Sequence, residues 1–373
     1  MDFSFSEDQT ALRDLARRIL EERVTPERLR ELEGTPDRFD ADTWRALAEA
    51  NLLGVAVPEA YGGMGFGLVE LCVLLAEVGR AVAPVPAYAS LVLGALPVAE
   101  LGSEAQRARL LPGLADGSLI LTGALCEFGN EDPLRPATTA RRDAKGWRLT
   151  GCKDTVPAAH LARCVLVPAR TGEGAVGVFL LDPAGAGVTV ERQLGTGGEV
   201  QARLVLDDAP LGEDALLGGR EQAPDALQWI VERATVGLCA LELGVAERAL
   251  RITADYVTKR EQFERPVGSF QAVHQRAGDA FIDVEALRWT TWRAATRLAL
   301  EPTAPEDVAI AKLWAAEGGH RVVYAAQHLH GGIGVDVDYP IHRYYLWSRQ
   351  IELTLGSAQR QLARLGDLIA AAG

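Results

Sequence analysis

From about Asp225 onward, apolar residues recur at helical spacing in four long runs, 226–259, 271–300, 306–330 and 343–370. The runs are broken only at Arg265-Pro266, at Pro302/Pro305 and between Gly331 and Pro340. Proline removes a backbone donor and clashes with the preceding turn, so such points end a helix. Four amphipathic helices joined by short turns bury their apolar stripes against one another, which makes a bundle.

The rest of the chain has a different rhythm. Residues 1 to about 118 read as helices: Ser6 with Gln9 makes a capping box ahead of Leu12, Leu15, Ala16, Ile19 and Leu20, and Ser103 with Gln106 makes another. Further helices are expected from near Thr43 and over about Leu68 to Val78, separated by the Tyr61-Gly62-Gly63 turn. Between them and the bundle lie short β-rich runs: Leu119–Cys126, Ala137–Asp143, Trp147–Thr150, Cys164–Pro168, Val176–Leu181, Val188–Arg192 and Ala202–Leu206. Lys145-Gly146 is a hairpin turn, and so many strands in so short a span predict a compact barrel or sandwich. The expected organisation is α+β with a helical domain at 1–118, a central β domain at 119–224 and a helical bundle at 225–373.

Composition removes several classes of function. The formal net charge of -13 opposes a nucleic-acid partner, which calls for a basic face. No apolar run approaches the roughly 20 residues needed to span a bilayer. The five cysteines (Cys72, Cys126, Cys152, Cys164, Cys239) are odd in number and lack metal-site spacing, and the acidic start Met1-Asp2-Phe3 does not read as a signal peptide. A cytoplasmic protein with reduced thiols is expected. His274, His330 and His342 lack a helical HxxxH or carboxylate pairing, so no metal site is expected.

Several motifs point further. Arg260-Glu261-Gln262-Phe263 precedes Val267-Gly268-Ser269-Phe270-Gln271; Gln327-His328-Leu329-His330 leads into Gly331-Gly332-Ile333-Gly334 and Asp338-Tyr339-Pro340; Tyr61-Gly62-Gly63-Met64-Gly65 lies near the start. A glycine turn between helices suits close backbone approach to a phosphate. Together with the helical–β–bundle order, these motifs resemble the acyl-CoA dehydrogenase family over essentially the whole chain. The resemblance implies FAD as cofactor, with Arg260, Gln262, Phe263, Gln271, His328, Gly331 and Gly332 on its diphosphate and adenosine side, although His328 replaces the family's usual glutamine. Family members share each flavin between subunits: one β domain holds the ring and a neighbouring bundle holds the ADP moiety.

The ring side departs from the family. Its Thr-Glu-Pro-Gly-x-Gly-Ser-Asp loop aligns with Cys126-Glu127-Phe128-Gly129-Asn130-Glu131-Asp132-Pro133, so the donor threonine is a cysteine. Its covering tryptophan and following threonine donor align with Thr155 and Pro157. The glutamate that takes the α-proton aligns with Leu355, one residue before Gly356-Ser357-Ala358-Gln359. An alternative base position on the first bundle helix falls at Ala234, two residues from Glu232, the fallback carboxylate. Glu242 and Glu247 read as salt-bridged surface positions, and Glu352 as a surface or interface charge. The aromatic-rich Tyr339–Trp347 stretch is expected at a bundle interface.

The resemblance therefore implies the subunit of an acyl-CoA dehydrogenase that carries no base of its own. It would work beside a partner subunit in an α2β2 heterotetramer, as in actinobacterial enzymes of steroid side-chain degradation. An acyl-CoA would be the substrate and an electron-transfer flavoprotein or similar carrier the acceptor. Two alternatives stay open: a self-sufficient homotetramer with a relocated base, and a flavin-free acyl-CoA-binding or scaffold protein.

Overall fold

A computed structural model describes residues 4–172, 175–219 and 224–372; Met1–Phe3 of the acidic start lie outside them. The N-terminal helices are α1 (Glu7–Arg23), α2 (Pro26–Glu33), α3 (Ala41–Glu49), α4 (Leu68–Ala81), α5 (Leu96–Leu101, preceded by π-helical Tyr88–Ala95) and α6 (Glu104–Ala115). Both capping boxes form, Ser6 with Gln9 on α1 and Ser103 with Gln106 on α6. The sequence reading missed the stretch from Tyr88 to Leu101. Its residues 89–95 are all buried and nearly all apolar, so that part carries no amphipathic period.

The central sheet comprises β1 (Leu121–Gly123), β2 (Thr139–Asp143), β3 (Gly146–Pro157), β4 (Cys164–Gly172), β5 (Ala175–Leu181), β6 (Val188–Leu194) and β7 (Val200–Leu211). Their order is β1-β4-β2-β3-β7-β6, with β5 paired antiparallel to β4. Lys145-Gly146 turns the β2–β3 hairpin as expected, but β3 runs on to Pro157, well past Thr150. Register shifts between Leu149 and Gly151 and between Lys153 and Val156 bend it, re-aiming Thr155 and Pro157. Trp147 packs edge-on against Phe179 at the centre of the sheet's core.

The bundle contains α7 (Pro224–Lys259), a small hairpin of β8 (Glu261–Gln262) and β9 (Arg265–Pro266), α8 (Gln271–Leu300), α9 (Pro305–Leu313), α10 (Gly319–His330), α11 (Ile341–Leu353) and α12 (Ala358–Ala372). The run expected as one helix over 343–370 is two, because Leu355 and Gly356 adopt left-handed backbone at φ 55 and 101. Helix α4 crosses α7 at glycines: a Cβ on Gly79 would lie 2.1 Å from the Leu241 carbonyl oxygen, and one on Gly244 only 1.8 Å from that of Ala76. This contact fuses the N-terminal domain and the bundle into one apolar core. No helix among the described residues is long and apolar enough to cross a membrane.

Candidate functional site

Two regions answer to the motifs, and they lie on different parts of the molecule. The first is one end of the bundle. Arg260 follows α7, and the β8–β9 hairpin folds back so that Val267 N donates to Arg260 O at 2.7 Å. At its tip Phe263 is 87% exposed, touching only the edge of Phe270. One turn before Arg260, Tyr256 stacks on His330 at 4.5 Å, and His330 Nε2 lies 3.1 Å from the Tyr339 hydroxyl. This aromatic cluster joins the hairpin to the glycine turn that follows α10.

The donors at this end are unspent. Arg260, Gln271 and His328 are exposed, and their side chains make no hydrogen bond or ion pair among the described residues; Gln262 reaches only the neighbouring Glu261 carbonyl. Gly331 has φ 63 and ψ -140, a conformation that needs glycine. Gly332 has no such need, and a Cβ there would meet nothing within 4 Å. An open glycine backbone beside an unpaired arginine fits a diphosphate brought from outside the chain.

The second region is a cavity of about 500 Å³ between the N-terminal helices, the sheet and the bundle. Cys126, Thr155, Pro157 and Leu355 all line it, so the positions that would serve a flavin ring and a base are brought together. What they offer is poor in donors. Burial pushes the Cys126 thiol up, against the lowering influence of the Thr155 hydroxyl and the Leu355 backbone beside it. Pro157 has no N–H, and its carbonyl is taken by the Thr122 hydroxyl at 2.7 Å. Thr155, Ala158 and Leu355, each non-glycine, hold left-handed backbone at φ 50, 51 and 55 on the cavity wall.

The loop that carries Cys126 and Glu127 is held by buried polar contacts. Glu127 accepts from Lys153 Nζ at 2.7 Å, Ala137 N at 2.6 Å, Thr138 N at 2.9 Å and the Thr138 hydroxyl at 2.6 Å, and Lys153 is wholly buried. Burial alone would raise the Glu127 carboxyl; the Lys153 ammonium and these hydrogen bonds outweigh it and hold it down at about 2.

The turn that carries residue 355 is also held in place. Lys312, buried, donates to Ile351 O at 2.7 Å and Glu352 O at 3.1 Å, closing the end of α11. The fallback carboxylate is misplaced. Glu232 is buried with its oxygens committed to Gln228, Thr303 and the Ala304 amide, each at 2.9 Å, where it caps α9. It does not line the cavity, so it is a structural carboxylate. Glu242 is no surface charge: it is fully buried, accepts from the Ser348 hydroxyl at 2.6 Å, and burial raises it to about 8. Glu247 does pair, with Arg288 at 2.5 Å, and Glu352 pairs with Arg349. The Tyr339–Trp347 stretch packs largely inside the chain, with Tyr344 buried and Trp347 on the cavity wall.

Sequence reasoning passed over the polar residues of this cavity. Glu199 lies in the β6–β7 turn; its Oε2 accepts from Gln201 Nε2 at 3.2 Å and from Gln350 of α11. Gln350 Oε1 in turn accepts from Gly197 N at 3.1 Å, which ties the sheet to the bundle. Burial raises the Glu199 carboxyl, since what exposure it has is to the cavity. Tyr88 opens onto the same space from an apolar helix. No residue pattern flags either one, because only folding brings both to the cavity wall. Among the described residues no group of three His, Cys, Asp or Glu could hold a metal ion.

Comparison with known proteins follows the same lines. Residues 6–118 match the acyl-CoA dehydrogenase N-terminal domain, and 225–369 match its C-terminal domain. The chain is 40% identical to acyl-CoA dehydrogenase FadE27 of Mycobacterium tuberculosis, over 99% of each protein. Among solved structures it resembles a chain of the Tcur3481-Tcur3483 steroid ACAD, in a variant form, with 48% identity and TM-score 0.92 over 98% of each chain. It also resembles a chain of the ChsE4-ChsE5 complex from Mycobacterium tuberculosis, with 41% identity and TM-score 0.93 over 99% of each.

Proposed function

Because the chain belongs to the acyl-CoA dehydrogenase family, we propose that it is the base-less subunit of a heteromeric member. It lends Arg260, Gln262, Phe263, Gln271, His328 and the Gly331-Gly332 backbone to the ADP moiety of an FAD whose ring lies in a partner subunit. The observation that carries this reading is the split between the two regions. Unpaired donors face outward at the bundle end, whereas the chain's own cavity has Leu355, Cys126 and Pro157 where proton acceptor and ring donors are needed.

The chemistry divides accordingly. The flavin, when bound, supplies the acceptor for the hydride leaving the acyl β-carbon. This chain's part is to bind and orient it: the Arg260 guanidinium neutralises phosphate charge, and the glycine turn allows backbone amides to approach the diphosphate. Proton abstraction from the α-carbon requires a desolvated carboxylate within bonding reach, and that group belongs to the partner. Two similar structures, a steroid ACAD named by a pair of proteins and a two-protein complex, support an α2β2 assembly acting on a steroid side-chain or other bulky acyl-CoA. An electron-transfer flavoprotein or similar carrier would reoxidise it.

A self-sufficient enzyme would need a base among the carboxylates on the cavity wall, which among the described residues are Glu33, paired with Arg343, Asp37 and Glu199, and would still lack ring donors. The test is purification of the chain alone and with candidate partner subunits. The reading expects a colourless protein alone, and a yellow complex that reduces an electron acceptor with acyl-CoA. A yellow, active single chain would refute it.

A further inference from the structure

Arg260 and the Gly331-Gly332 turn lie far apart in the chain, and both can serve one diphosphate only if their separation is set before the cofactor arrives. We propose that His330 is the positioning residue that sets it. Clamped between Tyr256 and Tyr339, it ties the end of α7, which carries Arg260, to the glycine turn after α10. The proposal rests on the reading that both contacts meet FAD, and deepens it by naming a residue that acts through its neighbours.

The ring has one tautomer and one orientation. His330 is the last residue of α10 and is buried. Its Nδ1 lies 2.7 Å from Ala326 O. A carbonyl oxygen only accepts, so Nδ1 carries the proton. The neutral ring then presents Nε2 as an acceptor, and the Tyr339 hydroxyl donates to it at 3.1 Å. Burial favours that neutral form and holds the imidazole below its ordinary value, against the opposing pull of the Ala326 carbonyl.

The partners of the ring come from different elements. Tyr256 of α7 stacks on it at 4.5 Å with the planes 25° apart, and Tyr339, just ahead of α11, meets it at 5.1 Å. The two tyrosines meet edge-on at 6.3 Å. Ring pairs in such arrangements attract beyond their burial. The cluster reaches both cofactor contacts through the backbone. Tyr256 O accepts from Arg260 N at 2.8 Å, and the Tyr256 hydroxyl lies 3.5 Å from His330 O. His330 is bonded directly to Gly331, whose φ of 63 and ψ of -140 turn the chain away from the helix. Gln327 Nε2 donates to Gly334 O and closes the turn from its far side. On the cofactor side nothing crowds the turn, since a Cβ on Gly331 or Gly332 would meet nothing within 4 Å. Its position is therefore set from behind. A site whose parts wander is competent only part of the time, and its affinity falls by that fraction.

The experiment is FAD titration of the apo-complex of this chain with its partner, read by flavin absorbance. Tyr339→Phe and His330→Phe are each measured alone and combined with Arg260→Ala. Tyr339→Phe removes one oxygen and one hydrogen bond, and is expected to weaken FAD about threefold to tenfold. His330→Phe keeps a ring in the stack but loses both hydrogen bonds, and is expected to weaken FAD about tenfold or more. Without Arg260 the separation of the two contacts no longer matters. The cost of Tyr339→Phe should therefore shrink at least about threefold in that background, a coupling that a merely structural role would not produce. Thermal unfolding of the isolated chain checks that both variants fold; if His330→Phe does not, Tyr339→Phe carries the test. Equal costs with and without Arg260 overturn the positioning role. FAD affinity within about twofold of wild type in Tyr339→Phe, with Arg260→Ala weakened, overturns the proposal and leaves the heteromeric reading standing. Affinity unchanged in Arg260→Ala as well overturns the reading beneath it.

Discussion

Arg260→Ala separates a cofactor contact from a surface charge. The guanidinium is exposed and makes no ion pair or hydrogen bond within the described chain, so its removal should change folding stability by no more than about 0.5 kcal/mol. If it bridges an FAD phosphate in the assembled enzyme, the loss is a charge-assisted hydrogen bond worth about 1.5–3 kcal/mol. That corresponds to about 10- to 150-fold weaker FAD binding. Arg260→Lys should recover only part of it, because an ammonium supplies charge without the planar fork. The assay is FAD titration of the apo-complex of this chain with its partner, read by flavin absorbance, alongside thermal unfolding of the isolated chain. FAD affinity within about twofold of wild type, or a large stability loss in the isolated chain, would show that Arg260 is not a phosphate contact.

The buried pair Glu242 and Lys312 gives a pH signature. Burial raises Glu242 to about 8, above its unfolded value of about 4.3, so its stabilising contribution is complete below about 4.3 and is lost as pH rises through 8. Burial lowers Lys312 to about 8 from its ordinary value, so its contribution is present above about 10.4 and lost as pH falls through 8. A stability minimum near pH 8 is expected, and Glu242→Gln should flatten its acid side in thermal scans from pH 5 to 9; an unchanged profile would argue against the burial reading. Lys153→Met strands Glu127 beside its amide and hydroxyl donors, with an expected loss of about 3–5 kcal/mol in denaturant unfolding. A loss below about 1 kcal/mol would mean that those donors alone satisfy the carboxylate. Gly244→Ala drives a Cβ to 1.8 Å from the Ala76 carbonyl oxygen and should destabilise by about 1–3 kcal/mol or more, read in the same assay; neutrality would mean the α4–α7 contact can spread.

Much of the architecture was legible because it is written in short-range patterns. The capping boxes at Ser6 and Ser103, the Lys145-Gly146 turn and the proline breaks act within a few residues of themselves, and all appear in the fold. The failures share a cause. Residues 89–95 are buried on every side, so they have no period to read, and the break at Leu355-Gly356 depends on left-handed backbone that a leucine does not advertise. Glu242 looked like a surface charge because a single carboxylate in a helix carries no mark of what will pack over it; the close approach of Gly319 and Ser348 buries it.

The site divides in the same way. Sequence alone fixed which residue types stand at the family's positions: leucine at 355, cysteine at 126, proline at 157, and an arginine and two glycines near the bundle end. These are covalent facts, and what they lack cannot be restored by folding. Only the tertiary structure decided that Glu232 caps a helix instead of facing a substrate, and that Glu199 and Tyr88 line one cavity. Burial, pairing and proximity arise from contacts between residues far apart in the chain, and no local pattern encodes them.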